Sequence, residues 1–271
     1  MDRSSEQTWE PLSRGYGVFV SRIHRFSTDT LLLAQFSMPR RGERCADFGT
    51  GCGAIPVLWC ARSEAAVVYG VEIQKDACAL LSETVERNGL SGRLTVCCGD
   101  LCSPETLRPL QELHMVACNP PYKPAGTGIL CREEADNTAR HETMCTIDEI
   151  AEVASRVLRY GGRFCVCQRP ERLCDILEAF RRNGLEPKRL QFVQQRRGKA
   201  PFLFLLEGRK GGKPFLKVEP VLFVEESGCF SEEMMNVYGD YKQNPVFPGR
   251  KSSPTDRQTA GSDPKEEGAS K

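Results

Sequence analysis

The stretch DFGTGCG, from Asp47 to Gly53, ends the apolar run ERCADF and opens the helical pattern CGAIPVLWCAR. Its three alternating glycines let the chain turn sharply and let a ligand approach the backbone. The helix that follows offers unpaired N–H groups in its first turn. The spacing is not GxGxxG, so it does not indicate a dinucleotide pyrophosphate. A bare strand-to-helix turn would need one glycine, so three glycines predict a turn that binds a ligand.

Strand and helix patterns alternate on both sides of this turn. A helical pattern over residues 26–38 precedes it, with Ser27 as its N-cap. The strand patterns VVYGVEI, RLTVCCGD, HMVACN and RFCVCQ alternate with helical segments after it. This alternation predicts a parallel sheet that is covered by helices on both faces. The last two strand patterns, PKRLQFVQQ and PFLFLLEG, have no helix between them and must pair antiparallel or lie at an edge.

The length favours a single main domain. A chain of 271 residues suits one α/β domain of roughly 200–250 residues with modest extensions. We expect an N-terminal extension over residues 1–25, the α/β domain over 26–225 and a tail over 226–271. The tail is expected to be largely disordered, because its later part is rich in Pro, Gly, Ser, Lys and Glu and lacks apolar periodicity.

The composition excludes several classes of protein. No stretch approaches the roughly 18 apolar residues of a membrane span, and the first residues lack the apolar core of a signal peptide. We therefore expect a cytoplasmic protein without membrane contact, and a monomer by default. There are 14 cysteines, no CxxC pair and only three histidines. This pattern predicts no metal site and reduced, buried cysteines that pack as small hydrophobic residues.

Charge is unevenly spread along a chain whose net charge is only +1. The stretch from Arg181 to Lys217 contains eleven Lys or Arg against two acids, a local net charge of +9. It is either a polyanion footprint or a solvated basic face, and the charge alone favours neither. From Val218 to Lys271 the net charge is −4.

Two carboxylates follow strands near the glycine turn. Glu72 ends the second strand, where a carboxylate can accept hydrogen bonds from both hydroxyls of a ribose. Asp100 ends the third strand, where a turn-forming role competes with a binding role. Together with Asp47, Gly49, Gly51 and Gly53, they form the predicted cofactor site.

The fourth strand runs directly into Asn119, Pro120, Pro121 and Tyr122. The two prolines stiffen the loop and remove backbone donors, so that carbonyl acceptors remain to hold a planar –NH₂ group. Such acceptors would favour a tetrahedral nitrogen, and catalysis would rest on positioning and electrostatics. Tyr122 would stack on a base. A proline-stiffened turn without function is the alternative, but the position at the carboxyl edge of the sheet favours chemistry.

These motifs resemble those of known enzymes. The spacing D-x-G-x-G-x-G is similar to motif I of class I methyltransferases, which bind S-adenosylmethionine. The resemblance implies a Rossmann-like, seven-stranded, mostly parallel sheet with an antiparallel last strand. It also implies that Asp100 meets the adenine of the cofactor and that Asn119 contacts the cofactor. The NPPY sequence resembles the motif of methyltransferases that act on adenine N6, guanine N2 and glutamine N5.

Further segments narrow this resemblance to the bacterial tRNA(Val) adenine-N6 methyltransferase family, which modifies the adenine beside the anticodon, at position 37. The similar segments, within a region from Gly15 to Val224, are His24–Phe36, Ala139–Glu142, Arg169–Ile176, Leu185–Val193 and Leu206–Pro220. The resemblance implies that Asn119, Pro120, Pro121 and Tyr122 hold the target amine of a flipped base. It also implies RNA contacts from the basic residues Arg140, His141, Arg196, Arg197, Lys199, Lys210 and Lys213.

Three alternatives remain open at this point. A protein glutamine-N5 methyltransferase shares NPPY but carries a helical domain before motif I, and only 46 residues precede Asp47. An rRNA guanine-N2 methyltransferase would use the same pocket. A non-catalytic RNA-binding protein on a degenerate methyltransferase fold is disfavoured by the intact Asp47, Glu72 and Asn119.

Overall fold

A computed structural model describes residues 7–120 and 145–241. The strands are β1 (Thr8–Ser13), β2 (Tyr16–Val20), β3 (Arg44–Phe48), β4 (Val67–Glu72), β5 (Leu94–Cys98), β6 (Leu113–Cys118), β7 (Leu158–Gln168), β8 (Leu185–Gln194), β9 (Pro201–Lys210), β10 (Lys217–Val218), β11 (Leu222–Phe223), β12 (Glu225–Glu226) and β13 (Cys229–Phe230). The helices are α1 (Thr28–Phe36), α2 (Ala54–Arg62), α3 (Lys75–Arg87), α4 (Pro104–Leu107), α5 (Ile147–Val157), α6 (Leu173–Arg182) and α7 (Glu232–Tyr238), with 3-10 turns at Pro170–Arg172 and Gly239–Tyr241. Among the helices described, none combines the length and the apolar character that crossing a membrane requires.

The main sheet has the strand order β10-β8-β9-β7-β6-β3-β4-β5, and β11 also pairs with β8. Strands β5, β4, β3, β6 and β7 are parallel, whereas β9 runs antiparallel between β7 and β8. The predicted mostly parallel sheet with an antiparallel last long strand is thus confirmed. The predicted count of seven strands is corrected to nine within the described residues, because the two-residue strands β10 and β11 are too short to leave an alternating pattern.

Helices cover both faces of the sheet, as the sequence predicts. Successive strand residues point to opposite faces. Cys45 and Cys165 therefore join a core cluster with α1, α2, α3 and α7, whereas their neighbours Ala46 and Phe164 join a second cluster with α5 and α6. Seven of the thirteen described cysteines are buried, so the prediction that they pack as small hydrophobic residues holds for about half of them.

The N-terminal extension contains a β-hairpin that packs on α3. The hairpin pairs β1 with β2. The N–H of Gly17 donates to Asn88 Oδ1 over 3.1 Å, and the N–H of Phe19 donates to Thr84 Oγ1 over 3.0 Å. These bonds attach β2 to α3.

The C-terminal boundary differs from the predicted one at residue 225. Met234 and Val237 of α7 are buried in the first core cluster. The Arg62 guanidinium donates to the carbonyls of Val237 and Tyr238, over 2.9 Å each. The prediction of a largely disordered tail is therefore corrected for residues 226–241, whose seven-residue helix is too short to show a clear period. Residues 242–271 lie outside the described part of the chain.

Candidate active site

A cavity of about 360 Å³ opens at the carboxyl ends of β3, β4, β5 and β6. This is the edge at which open α/β sheets bind ligands, and the volume lies in the range of small-molecule sites. The lining residues are Phe48, Gly49, Val71, Glu72, Ile73, Gln74, Gly99, Asp100, Leu101, Cys118, Asn119, Pro120, Cys145 and Ile150. The cavity is therefore lined by five predicted site residues, which are Gly49, Glu72, Asp100, Asn119 and Pro120.

The three glycines of the turn have different roles. Gly49 lines the cavity, has φ +67° and has open space where a Cβ would point. Gly51 donates its N–H to Glu72 Oε2 over 2.9 Å. Gly53 caps α2 with φ +84°, and a Cβ there would lie 2.2 Å from Leu81 Cδ1. Only the first glycine therefore faces the cavity, the second positions a carboxylate, and the third allows helix packing.

Glu72 is held rigidly at the end of β4. Its Oε2 accepts from Gly51, and its Oε1 accepts from the backbone N–H groups of Ile73 and Gln74, over 2.9 Å each. The residue is 5% exposed and lines the cavity. Oε1 already accepts two bonds and Oε2 accepts one, so one lone pair remains on Oε2 and makes Glu72 a preorganised acceptor for a ligand.

Asp47 lies deeper than predicted. It is 1% exposed, and among the described residues its Oδ1 has no hydrogen-bond partner. Burial raises the pKa of its carboxyl to about 8, against an opposing contribution from the nearby Thr50 side chain and with a reinforcing contribution from the charge of Glu72. The described lining of the cavity does not include Asp47, and its contact with the cofactor stays a prediction.

Asp100 lines the cavity and also shapes its own turn. Its Oδ1 accepts the N–H of Cys102 over 2.8 Å, which is the turn-forming contact, and the cofactor contact of Asp100 stays a prediction. Close by, the Sγ atoms of Cys102 and Cys145 lie 3.5 Å apart. Burial, followed by the contact with Cys102, raises the pKa of the Cys145 thiol to about 12. No local pattern in the sequence predicts this cysteine pair, because it joins segments 43 residues apart.

Asn119 follows β6 and forms one wall of the cavity with Pro120. The thiol of Cys167, buried on the neighbouring β7, donates to Asn119 Oδ1 over 3.0 Å. The alternation in RFCVCQ predicts only a core position for Cys167, because it carries no signal of this contact. The remaining predicted site residues Pro121, Tyr122, Arg140 and His141 lie outside the described residues.

The sheet divides the predicted RNA-binding residues between its two edges. Arg196, Arg197 and Lys199 occupy the exposed turn between β8 and β9. This turn lies at the carboxyl edge, because Gln168 at the end of β7 pairs with Phe204 near the start of β9. Lys210 ends β9 opposite Leu185, at the other edge of the sheet, and Lys213 follows shortly after. Only the first group shares an edge with the cavity.

Several charges of the basic stretch are neutralised within the chain. Arg189 pairs with Glu207 over 3.2 Å, and Arg197 pairs with Glu226 over 3.1 Å. Lys210 Nζ donates to the carbonyl of Leu158 over 2.6 Å, which holds the side chain in place without neutralising its charge. Surface pairs of this kind contribute little to stability, but they reduce the positive field below that of the formal charge.

Comparisons of the sequence identify named relatives. A Yersinia pestis protein named tRNA1(Val) (adenine(37)-N6)-methyltransferase is 26% identical over 222 residues, covering 81% of this chain and 88% of the relative. A Bacteroides fragilis protein of the same name is 25% identical over 177 residues, covering 65% of this chain and 73% of the relative.

A solved structure supports the fold. A crystal structure described as a predicted O-methyltransferase from Agrobacterium tumefaciens matches with a TM-score of 0.62 and 21% identity, covering 78% of this chain and 95% of that one. The expected class I, Rossmann-like methyltransferase fold is confirmed by this likeness. The family model described as the methyltransferase small domain matches residues 12–184, which is more than half of the chain. The protein therefore belongs to the methyltransferase small domain family, which confirms the prediction of an S-adenosylmethionine-dependent methyltransferase.

Proposed function

We propose that the protein transfers a methyl group from S-adenosylmethionine to N6 of an adenine in tRNA, at position 37 of tRNA(Val). The observation that carries this proposal is the position of Asn119, which lines the same cavity as the Glu72 and Asp100 carboxylates. The names of the relatives from Yersinia pestis and Bacteroides fragilis support the choice of substrate. A cytoplasmic location follows from such a substrate.

The cavity suits S-adenosylmethionine. Gly49 leaves open space beside the backbone, and the fixed Glu72 carboxylate can accept a bond from a ribose hydroxyl through Oε2. Asp100 would face the adenine of the cofactor. When bound, the cofactor supplies an electrophilic methyl group that is attached to a sulfonium. After the transfer, the sulfonium has become a neutral thioether.

The polar groups beside Asn119 suit an aromatic amine. The lone pair of an adenine amino group is delocalised into the ring, so the enzyme must favour the tetrahedral form of the nitrogen. Asn119 Oδ1 has two lone pairs and accepts from Cys167 through one of them. In the proposed reaction the amine would donate to Asn119 Oδ1 and to the backbone carbonyl of Asn119 or Pro120. No strong base is required before the transfer, because the sulfonium leaves as a neutral thioether and the methylated, cationic nitrogen then loses its additional proton to water. Catalysis would consist of positioning and electrostatic stabilisation.

The turn between β8 and β9 would hold the tRNA backbone near the cavity. Arg196 and Lys199 are exposed there, and no ion pair involves either of them within residues 7–120 and 145–241. Contacts with phosphates would give affinity that depends on salt and tolerates sequence, while the pocket selects the flipped base.

A methylation assay with product identification tests the proposal. Purified protein is incubated with labelled S-adenosylmethionine and total bacterial tRNA, and the RNA is digested to nucleosides for mass spectrometry. We expect N6-methyladenosine, and its loss when tRNA(Val) is depleted. Detection of N2-methylguanosine would show that the target is guanine and not adenine. Transfer to protein but not to RNA would favour a glutamine-N5 methyltransferase, and no transfer with intact cofactor binding would favour a non-catalytic RNA-binding protein.

A further inference from the structure

Two cysteine thiols and one carboxylate, all of which can bind metal ions, lie at the rim of the proposed cofactor cavity. Asp100 and Cys102 follow β5, and Cys145 immediately precedes the N-cap of α5. One ligand atom from each residue lies within 4.8 Å of the other two. Among the described residues, this is the group of acidic, cysteine or histidine side chains that could together hold a cation.

The spacing of the two sulfur atoms matches that of thiolates on one tetrahedral ion. Zn–S bonds of about 2.3 Å place two sulfurs about 3.8 Å apart at a tetrahedral angle. The observed Sγ–Sγ distance between Cys102 and Cys145 is 3.5 Å. A shift of a few tenths of an ångström would therefore be enough to receive zinc.

The ligands are also held in place by their surroundings. The N–H of Cys102 binds Asp100 Oδ1, which leaves the second carboxylate oxygen for a cation. Thr146 donates to Glu149 Oε2 from its N–H and its hydroxyl, and this capping box fixes the chain immediately after Cys145. Such supporting hydrogen bonds are a regular feature of metal sites.

We propose that Asp100, Cys102 and Cys145 form a binding site for zinc that competes with the nucleoside cofactor. The two thiols would each release a proton and bind as thiolates, and the Asp100 carboxylate would be the third protein ligand. The remaining tetrahedral position is open to water. Thiolate ligands select zinc over magnesium or calcium.

The competition follows from the shared residues and rests on the proposed cofactor site. Asp100 and Cys145 both line the cavity. With one carboxylate oxygen accepting from the Cys102 N–H and the other bound to zinc, Asp100 would be a weaker acceptor for the adenine of the cofactor. Each ligand should therefore weaken the other by the same factor, because thermodynamic coupling is reciprocal.

Metal titration of the full chain tests the site without any assay of activity. The protein, kept reduced by a phosphine, is titrated with Co²⁺ and then with Zn²⁺ against a chromophoric chelator. We expect one ion per chain, a thiolate-to-cobalt charge-transfer band, and at least a tenfold loss of zinc affinity in Cys102→Ser. The matched control is Cys174→Ser, another exposed cysteine, which lies on α6.

A second titration measures S-adenosylmethionine binding with and without zinc. Zinc should lower the affinity for the cofactor in the wild type but not in Cys102→Ser. Equal zinc affinity in the wild type and Cys102→Ser, or an equal loss in Cys174→Ser, would overturn the site. Zinc binding without any effect on the cofactor would overturn the competition. A protein that binds zinc at this site but never binds S-adenosylmethionine would refute the proposed function and leave the metal site standing.

Discussion

The thiol of Cys167 lies 3.0 Å from Asn119 Oδ1 and donates a hydrogen bond to it. Cys167 is fully buried on β7, and Asn119 follows the adjacent parallel strand β6. The core of the sheet therefore fixes the rotation of the amide that walls the cavity. In the proposed reaction Cys167 is a positioning residue, because it acts on the amine only through Asn119.

Replacing Cys167 separates this role from packing. Cys167→Ala removes the donor, and we expect kcat to fall about fivefold, equivalent to about 1 kcal/mol for one hydrogen bond. The dissociation constant of S-adenosylmethionine should not change. Cys167→Ser keeps a donor and should restore most of kcat. Equal losses in both variants would leave Cys167 with a packing role only.

Asn119→Ala removes the proposed acceptor of the amine. We expect turnover to fall by about 10² to 10³, the range seen when one preorganised group at a reacting centre is deleted. Cofactor binding, measured by calorimetry, should persist within a few-fold. Unchanged turnover would refute the role of Asn119 in holding the amine.

The two edges of the sheet offer a matched test of RNA binding. Replacing Arg196, Arg197 and Lys199 together by Gln should weaken tRNA binding and flatten the dependence of affinity on salt, by roughly one unit of slope for each phosphate that is no longer bound. The control is the pair Lys210 and Lys213, both replaced by Gln at the opposite edge. If the control flattens the slope as much as the triple variant, the turn between β8 and β9 is not the main contact.

Replacing the first glycine of the turn should lower the free energy of unfolding less than replacing the third. Gly53→Ala places a methyl group against Leu81 at positive φ, and we expect a loss of about 2–4 kcal/mol in the free energy of unfolding. Gly49→Ala meets open space and should cost only about 1 kcal/mol, yet weaken cofactor binding. Denaturant unfolding and cofactor titration measure the two effects. An equally stable Gly53→Ala would contradict the packing argument.

Asp47 should make stability depend on pH. Its carboxyl has a pKa of about 8 in the fold against 3.8 for an unperturbed aspartate, so the folded protein holds an additional proton between these values. The free energy of unfolding then decreases as the pH rises through this window, because the unfolded state ionises first. Asp47→Asn should gain stability over the wild type between pH 5 and 8 in thermal unfolding. Glu171→Gln, at an exposed site, is the control, and a parallel pH dependence of wild type and Asp47→Asn would refute the argument.

Sequence periodicity predicts features formed by residues that are close together in the chain. It misses contacts between residues that are far apart in the chain. The glycine turn, Glu72 and Asn119 are predictable at one edge of the sheet because strand ends and turns leave local patterns. The Cys167–Asn119 bond and the Cys102–Cys145 pair join segments 48 and 43 residues apart, and no local pattern encodes them. Strands of two residues and a seven-residue helix are likewise too short for a period to appear.

The contacts around α7 also have a consequence for biosynthesis. Tyr241 donates to Glu10 Oε1 over 2.7 Å, and the N–H of Arg14 donates to Asp240 over 2.9 Å, across 231 and 226 residues of chain. At roughly 5–20 residues per second, the ribosome delivers the second partner at least about ten seconds after the first. The N-terminal hairpin is therefore synthesised well before its C-terminal partners. Until α7 leaves the ribosome, the Arg62 guanidinium lacks its two carbonyl partners and the domain is incomplete.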